Sequence, residues 1–237
     1  MSLENRVAVI TGATGGLGRV VARRLAEEGA RLALVGSDAS RLQALGAELN
    51  LPQERWLASA ADLASPAGAQ AAAAATLATF GRVDILLHLV GGWTGGKTAV
   101  QLPAEEMTSM LQQHLWTTFN VAQAFAPHLA ANGWGRIVAV SSPSARRPMA
   151  KGAAYAVGKA AQEALLLTLA QELTGAGVTA NLLVVRTIDV QHRRDRQRTP
   201  ETASWTTPEE IAAAIVYLCS DAAGGVNGAH IPLYGAS

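Results

Sequence analysis

The chain has 237 residues, of which 49% are hydrophobic and 16% charged, and its formal net charge is +1. This composition is typical of one globular domain with a large core, and the near-neutral charge argues against nucleic acid or a membrane surface as a partner. The single cysteine, Cys219, cannot form an internal disulfide, and its helical spacing from Ile215 and Leu218 predicts a small core residue. No apolar run reaches about 18 residues, and Glu4 and Arg6 interrupt any secretory signal, so we expect a cytoplasmic protein.

The chain opens with an apolar run at 6–10 that predicts a buried strand, and the glycine-rich segment 11–18 then leads into an amphipathic helix. Strand, glycine turn and helix in this order are typical of a site that binds a dinucleotide pyrophosphate at a helix N-terminus. Gly12 permits the tight turn, Gly16 lets the backbone approach the phosphate, and Gly18 allows close packing. In this context the glycine pattern is a specific signal.

Strand and helix patterns continue to alternate along the chain. Strands are predicted at 31–35, 54–58, 83–90, 138–142, 178–185 and 229–233, and helices at 20–28, 66–80, 103–131 and 207–221. The segment 103–131 is predicted as one long, kinked helix, and Thr207 is predicted to cap the last helix with Pro208 in its first turn. The alternation predicts an α/β protein with a doubly wound parallel sheet and a ligand at the carboxyl ends of the strands.

A second motif places Tyr155 four residues before Lys159 on a predicted helix. Positions four apart share a helix face, so the phenol and the ammonium can meet, and a nearby cation lowers the pKa of a phenol. The phenol then becomes a usable general acid or base. Ser142 ends an apolar strand thirteen residues earlier, where its hydroxyl can hold a substrate oxygen beside Tyr155. A tyrosine four residues before a lysine is common in ordinary helices. The pair indicates a catalytic site only in combination with the glycine turn.

Together these motifs resemble those of the short-chain dehydrogenase/reductase (SDR) family, over nearly the whole chain. The resemblance implies one Rossmann-like domain over 1–237, oxidation or reduction of a small-molecule carbonyl or alcohol with NAD(P)(H), no metal, and commonly a homotetramer or dimer built partly on the long middle helices. It implies that Ser142, Tyr155 and Lys159 are the catalytic set. The residues implied at the cofactor lie in the glycine turn, at strand ends or on the catalytic helix: Gly12, Thr14, Gly16, Leu17, Gly18, Ser37, Asp62, Leu63, Leu89, Gly91, Tyr155, Lys159, Val185 and Ile188.

The end of the second predicted strand bears on the choice of cofactor. An NAD-preferring protein places a carboxylate there, which binds the ribose hydroxyls and repels a 2′-phosphate. This chain has Gly36 at that position, followed by Ser37, which can bond a hydroxyl or a phosphate, whereas Asp38 lies too far along. Arg19 and Arg41 are nearby cations or simply solvated. We therefore predict NADP(H) in preference to NAD(H).

Several positions depart from the family's pattern around the nicotinamide end. His88 and Leu89 stand where the family usually has two asparagines, and His88 is more readily interpreted as a satisfied core histidine than as a catalytic one. The usual Pro-Gly after the sixth strand is Val185-Arg186, and Val190 replaces a threonine that binds the nicotinamide amide. These departures motivate an alternative function, a cofactor-binding SDR-like protein with little or no turnover and a regulatory or scaffold role, but the intact set of Ser142, Tyr155 and Lys159 argues against it.

The resemblance aligns His114 with an asparagine that helps to hold the catalytic lysine and a relay water. An imidazole can hydrogen-bond and shuttle protons, so the relay either persists with a different pH dependence or is broken. We include His114 among the catalytic residues and expect activity to fall below about pH 6.5, or lower if burial shifts the midpoint.

Residues 189–207 are predicted to form a short substrate lid that is strongly basic over 192–198. One interpretation is a solvated or disordered loop, and the other is a clamp for a cofactor phosphate or an anionic substrate. A module that binds nucleic acid is disfavoured because the rest of the chain offers no accompanying basic face.

Overall fold

The computed structural model of the chain describes residues 3–235. Its centre is a sheet of seven parallel strands in the order β3-β2-β1-β4-β5-β6-β7. The strands are β1 (Val7–Thr11), β2 (Arg31–Gly36), β3 (Trp56–Ala60), β4 (Ile85–His88), β5 (Gly135–Ser141), β6 (Val178–Val185) and β7 (His230–Leu233). Strand order reverses between β1 and β4, and ligands of open parallel sheets bind at the carboxyl ends of the strands at such a point.

Helices cover both faces of the sheet. They are α1 (Gly16–Glu27), α2 (Ala39–Glu48), α3 (Pro66–Phe80), α4 (Ala104–Leu111), α5 (Thr117–Ala131), α6 (Ala153–Glu172), α7 (Arg193–Arg196) and α8 (Pro208–Leu218). The core cluster on one face includes α1, α2 and α8, whereas the cluster on the other includes α3, α5 and α6. Successive side chains of β1 alternate between them: Ala8 and Ile10 face the first, Val7 and Val9 the second. The predicted single-domain, Rossmann-like architecture is confirmed.

Most predicted strands and helices are present, but some begin or end at other residues than predicted, because tertiary contacts fix those ends. The first helix begins at Gly16 rather than at residue 20, so the end of the glycine turn is already the first turn of α1. The fourth strand begins at Ile85 rather than at residue 83, because the carboxylate of Asp84 rather than a main-chain carbonyl accepts the hydrogen bond from the Val7 amide at 2.9 Å, and it ends at His88 rather than at residue 90. Thr207 caps α8 in a reciprocal capping box with Glu210.

The predicted helix at 103–131 contains a break in its hydrogen-bond pattern. Between α4 and α5, residues Gln112–Trp116 form a π-helical turn, in which i→i+5 bonds replace the i→i+4 bonds of the flanking helices. Such turns kink helices and recur at functional sites. His114 lies at the centre of this turn.

The C-terminal part of the chain carries the remaining features predicted from sequence. Cys219 is fully buried at the end of α8, as predicted, and burial raises the pKa of its thiol to about 12. The segment 189–207 is folded rather than irregular throughout. The Asp189 carboxylate accepts hydrogen bonds from the Arg193 and Arg194 amides in the first turn of α7, and Ile188 pairs with Thr206 in an isolated bridge. Within residues 3–235, no helix is both long and apolar enough to cross a membrane.

Candidate active site

Two adjoining cavities open at the carboxyl ends of the strands. The larger, of about 850 Å³, extends past the ends of β1, β2 and β3, and the smaller, of about 410 Å³, extends toward β5, β6 and α6. They share Gly12, Leu89 and Gly91 as lining residues. The other residues predicted at the cofactor are divided between the two cavities. The larger is lined by Thr14, Ser37, Asp62 and Leu63. The smaller is lined by Gly16, Leu17, Gly18, Tyr155, Lys159, Val185 and Ile188.

The glycine turn has space for backbone only at two of its positions. Gly12 has φ +73°, and a Cβ there would lie 3.0 Å from the carbonyl group of Leu89. A Cβ on Gly18 would lie 2.3 Å from the Gly12 carbonyl oxygen, so any side chain would push α1 away from the turn. No side chain caps the N-terminus of α1 at Gly15, which lines both cavities. The first turn of α1 is thus open to the cavities.

Val190 packs against the same turn. A Cβ on Gly16 would lie 2.7 Å from Cγ1 of Val190, although the Val190 side chain is otherwise 49% exposed. The residue that replaces the family's threonine is therefore the point at which segment 189–207 rests on the glycine turn.

The end of β2 has room for a side chain that the sequence does not supply. A Cβ on Gly36 would meet only the side chains of Leu42 at 3.6 Å and Thr14 at 3.8 Å, which are ordinary contact distances. The absence of a carboxylate at Gly36 is therefore a property of the sequence and not a steric requirement of the turn.

Neighbouring charged groups at this end of the cavity have defined positions. Asp38 caps α2 by accepting a hydrogen bond from the Arg41 amide at 3.1 Å, so its carboxylate is directed to the helix. The Arg41 guanidinium donates to the Thr14 carbonyl at 3.2 Å, which places a cation at the edge of the larger cavity. Arg19 is instead paired with Glu48, with nitrogen and oxygen 2.5 Å apart.

Lys159 is buried beneath the smaller cavity and held at two points. Its ammonium donates to the Val140 carbonyl at 2.8 Å and to Oε1 of Gln162 at 2.9 Å. Gln162 is fully buried and in turn donates to the Thr118 hydroxyl at 2.9 Å. Burial lowers the pKa of Lys159 to about 7, and the nearby Glu163 carboxylate opposes this shift.

Tyr155 differs from its prediction in one respect. Burial raises the pKa of its phenol, whereas a hydrogen bond with the Ser142 hydroxyl lowers that pKa by less. The lowering that we predicted from Lys159 is not found, because burial penalises both the phenolate and the ammonium. Ser142 is itself buried and lines neither cavity, and its hydroxyl accepts a hydrogen bond from the Ser144 amide at 3.3 Å. Tyr155 and Ser142 are therefore together, as predicted.

His114 lies beneath the cavity floor, next to the other predicted catalytic groups. Its ring packs edge-on against Tyr155, with centroids 5.5 Å apart, and its Nε2–H donates to the Gly92 carbonyl at 3.0 Å. Its Nδ1 is buried and has no hydrogen-bond partner among residues 3–235. Burial, and secondarily the charge of Lys159, lowers the pKa of His114 to about 4. The acid midpoint expected near pH 6.5 is thus displaced well downward.

His88 is a satisfied core histidine, as predicted. Its Nδ1 lies 2.9 Å from the Thr11 hydroxyl, and its Nε2 lies 3.3 Å from the Thr117 hydroxyl. Complete burial lowers the pKa of His88 to about 3, with smaller contributions from Lys159 and His114.

Sequence reasoning missed the polar groups that support the site from α6. Besides Gln162, these include Glu163, which accepts hydrogen bonds from the Ser141 hydroxyl at 2.6 Å and from Arg146 at 3.3 Å and contacts His230 at 2.9 Å. Positions three and four residues after Lys159 share its helix face, so this spacing could have indicated both α6 residues. Nothing local in the sequence connects His230, on β7, with this group.

Comparison with known proteins agrees with this geometry. A family model described as short chain dehydrogenase matches residues 6–201. D-threitol dehydrogenase of Mycolicibacterium smegmatis is 35% identical over 98% of this chain and 93% of its own length. The (2S)-[(R)-hydroxy(phenyl)methyl]succinyl-CoA dehydrogenase subunit BbsD of Thauera aromatica is 32% identical over 96% of this chain and 94% of its own length. The crystal structure of 3-ketoacyl-(acyl-carrier-protein) reductase from Brucella melitensis, complexed with NADH, superposes with a TM-score of 0.89 and 28% identity over 99% of this chain and 98% of that one. The chain therefore belongs to the short-chain dehydrogenase/reductase family of NAD(P)-binding oxidoreductases.

Proposed function

We propose that the protein transfers a hydride between the nicotinamide of NAD(P)(H) and a carbonyl or secondary alcohol of a small molecule. The observation that carries the proposal is that one cavity is lined both by the glycine turn and by Tyr155 and Lys159, with Ser142 beside Tyr155. The relatives reported above are named for dissimilar substrates, so the proposal extends to the class of reaction and not to one compound.

The residues present fit such a cofactor. The backbone-only space at Gly12 and Gly18 and the uncapped first turn of α1 suit a pyrophosphate, because main-chain amides there can bind an anion. Asp62 and Leu63 in the larger cavity would contact the adenine end. Val185 and Ile188 in the smaller cavity would contact the nicotinamide end through their backbone. When bound, the cofactor supplies or accepts the hydride.

The side chains of this protein would move the accompanying proton. In the reducing direction, the Tyr155 hydroxyl donates a proton to the substrate oxygen while Ser142 holds that oxygen by a hydrogen bond. Lys159, fixed by Val140 and Gln162, lines the same cavity as Tyr155 and would hold the ribose of the cofactor. With a pKa of about 7, this lysine can take up and release protons near neutral pH.

The second candidate is a cofactor-binding protein with little turnover. It is favoured by Val190, which packs an apolar side chain onto Gly16 where the family has a polar threonine. Turnover of NADPH and NADH over a panel of ketones, aldehydes and activated thioester ketones separates the two candidates. We expect oxidation of cofactor with at least one carbonyl, whereas tight cofactor binding with no turnover of any of them would favour the second candidate.

We also propose that the chain forms a homodimer or homotetramer through its middle helices. Trp116 and Phe119 support this, because they are 48% and 39% exposed and stack edge-to-face with ring centroids 5.9 Å apart. Exposed paired aromatics of this kind are typical of interfaces between chains.

NADPH is expected to bind about tenfold more tightly than NADH, a difference of about 1.4 kcal/mol. Gly36 presents no carboxylate to a 2′-phosphate, and Arg41 offers a cation at the cavity edge. Gly36→Asp should reverse the order by repelling that phosphate, and Gly36→Ala, which fits the same space without charge, should not. Dissociation constants from side-by-side fluorescence titrations test this, and a lower value for NADH in the unmodified protein would overturn it.

His114→Leu is expected to lower the turnover number about tenfold with little change in cofactor affinity, because proton relay supports but does not perform the general acid step. His114→Asn should retain or raise turnover. Since the pKa of His114 is about 4, wild-type activity should not decline through its protonation until well below pH 6.5. Kinetic pH profiles of the three proteins measure this, and identical turnover and profiles in all three would show that His114 only packs.

A further inference from the structure

Arg186 is a second cation, besides Lys159, among the residues that line the smaller cavity. It follows β6 directly, at the position where the family usually has the glycine of Pro-Gly, and its side chain is exposed. Its Nη1 lies 3.3 Å from the Ser204 hydroxyl, and the centre of its guanidinium lies 5.3 Å from the Tyr234 ring. Within residues 3–235 these two contacts are the ones that Arg186 makes, and neither partner is a carboxylate.

The arginines of α7 are engaged differently. Arg194 donates to both carboxylate oxygens of Glu210, at 3.0 and 2.8 Å, and to the Trp205 carbonyl at 2.8 Å. Arg193 and Arg196 both donate to Gln191. These three side chains hold segment 189–207 together, and none of them lines the cavity that contains Tyr155.

Apolar groups lie beside Arg186 in the same cavity. Trp93 and Val190 line it and are 66% and 49% exposed, and Ile188 lines it between Arg186 and Val190 in sequence. Val190 makes the contact of segment 189–207 with the glycine turn, whereas Arg186 contacts Ser204 and Tyr234. A cation and apolar surface therefore lie together on the part of the cavity wall that a substrate beside Tyr155 would face.

We propose that Arg186 binds an anionic group of the substrate, so that the substrates are carbonyl compounds or alcohols that carry a carboxylate and an apolar portion. This inference rests on the proposed function and specifies its substrate class. A guanidinium binds a carboxylate through two parallel N–H donors, which orients the substrate as well as attracting it. A cofactor phosphate is the other anion that could reach this guanidinium, and the experiment separates the two sources.

The test compares matched acid and ester pairs, benzoylformate and benzoylpropionate with their methyl esters, in wild type, Arg186→Gln, Arg186→Lys and Arg193→Gln. In wild type we expect kcat/KM for at least one acid to exceed that of its ester by about tenfold or more, the value of one charge-assisted hydrogen-bonded pair. Arg186→Gln should remove this preference mainly by raising KM for the acid, with the ester unchanged. Arg186→Lys should keep part of it, and Arg193→Gln should keep all of it.

The other outcomes are equally distinct. If acid and ester react alike in wild type and in Arg186→Gln, the inference is wrong while the proposed function stands. If Arg186→Gln instead weakens NADPH binding and the acid preference is absent, Arg186 serves the cofactor phosphate, which also overturns the inference. If no carbonyl is turned over, the proposed function fails, and titration of each acid into the NADPH complex tests the anion site separately. Binding of an acid that is lost in Arg186→Gln supports the anion site. Equal binding by wild type and Arg186→Gln rejects it.

Discussion

Tyr155→Phe is expected to lower the turnover number about a thousandfold while leaving the cofactor dissociation constant within about twofold of wild type. The phenyl ring retains its edge-on contact with His114, at a centroid distance of 5.5 Å, so the cavity wall is preserved. The hydroxyl that would protonate the substrate oxygen is removed, and the Ser142 hydroxyl beside it is far less acidic than a phenol. Steady-state turnover and a fluorescence titration with NADPH, on the same preparations, measure the two quantities.

Two further variants make this experiment specific. Tyr217→Phe removes a phenolic hydroxyl from α8, where the side chain is 41% exposed and outside both cavities, and should leave turnover unchanged. Ser142→Ala removes the hydroxyl that lowers the pKa of Tyr155, and should reduce turnover by about a hundredfold. Wild-type turnover in Tyr155→Phe would eliminate Tyr155 as the proton donor and with it the proposed mechanism.

The fold could be predicted because its determinants are local. The eight residues of β6 are all buried, and a run that is apolar except for Thr179 and Asn181 marks the strand with correct bounds at Val178 and Val185. Likewise Ser65 and Gly81, which flank α3, supply an N-cap and a left-handed C-cap of the kinds that short-range signals describe. Bounds that depend on distant partners were wrong, as at β4, where Asp84 binds the amide of Val7.

The sequence predicted which motifs meet at one edge of the sheet, but it did not predict the pKa values of the groups there. Parallel strands bring their carboxyl ends to one edge, so motifs far apart in sequence meet there. The pKa values depend on how deeply each group is buried, and no sequence pattern gives that depth. Burial is the largest cause that lowers the pKa values of Lys159 and His114 and raises that of Tyr155, so the pKa of the phenol moves in the direction opposite to the one predicted.

The contacts of Gln162 show a second limit of prediction from sequence. A buried glutamine satisfies its amide through two partners, here the Lys159 ammonium and the Thr118 hydroxyl. The first partner is on the same helix and within reach of spacing arguments, whereas the second is on α5 and depends on how the helices pack. The π-helical turn Gln112–Trp116 contains no glycine or proline, so the sequence carries no local signal that predicts this kink.

The protein without cofactor is expected to lose stability on acidification from about pH 6.5, because two buried histidines are neutral in the folded state. Their pKa values are lowered from 6.5 to about 3 in His88 and about 4 in His114, mainly by burial. Between these values and 6.5 the unfolded chain binds more protons than the folded one, so the free energy of unfolding falls as pH falls. Each histidine contributes at most about 1.4 kcal/mol per pH unit in that range.

Urea unfolding between about pH 6.5 and pH 5 isolates this effect, because most carboxylates begin to protonate only at lower pH. His88→Asn and His114→Asn should each make the loss of stability with falling pH less steep by about half, and the double variant should remove most of it. Lys159 does not interfere, since its pKa is lowered from 10.5 to about 7 and its contribution therefore rises with pH above that range. Parallel pH profiles in wild type and all three variants would show that both imidazoles reach solvent before they titrate, and would contradict the burial on which the pKa shifts depend.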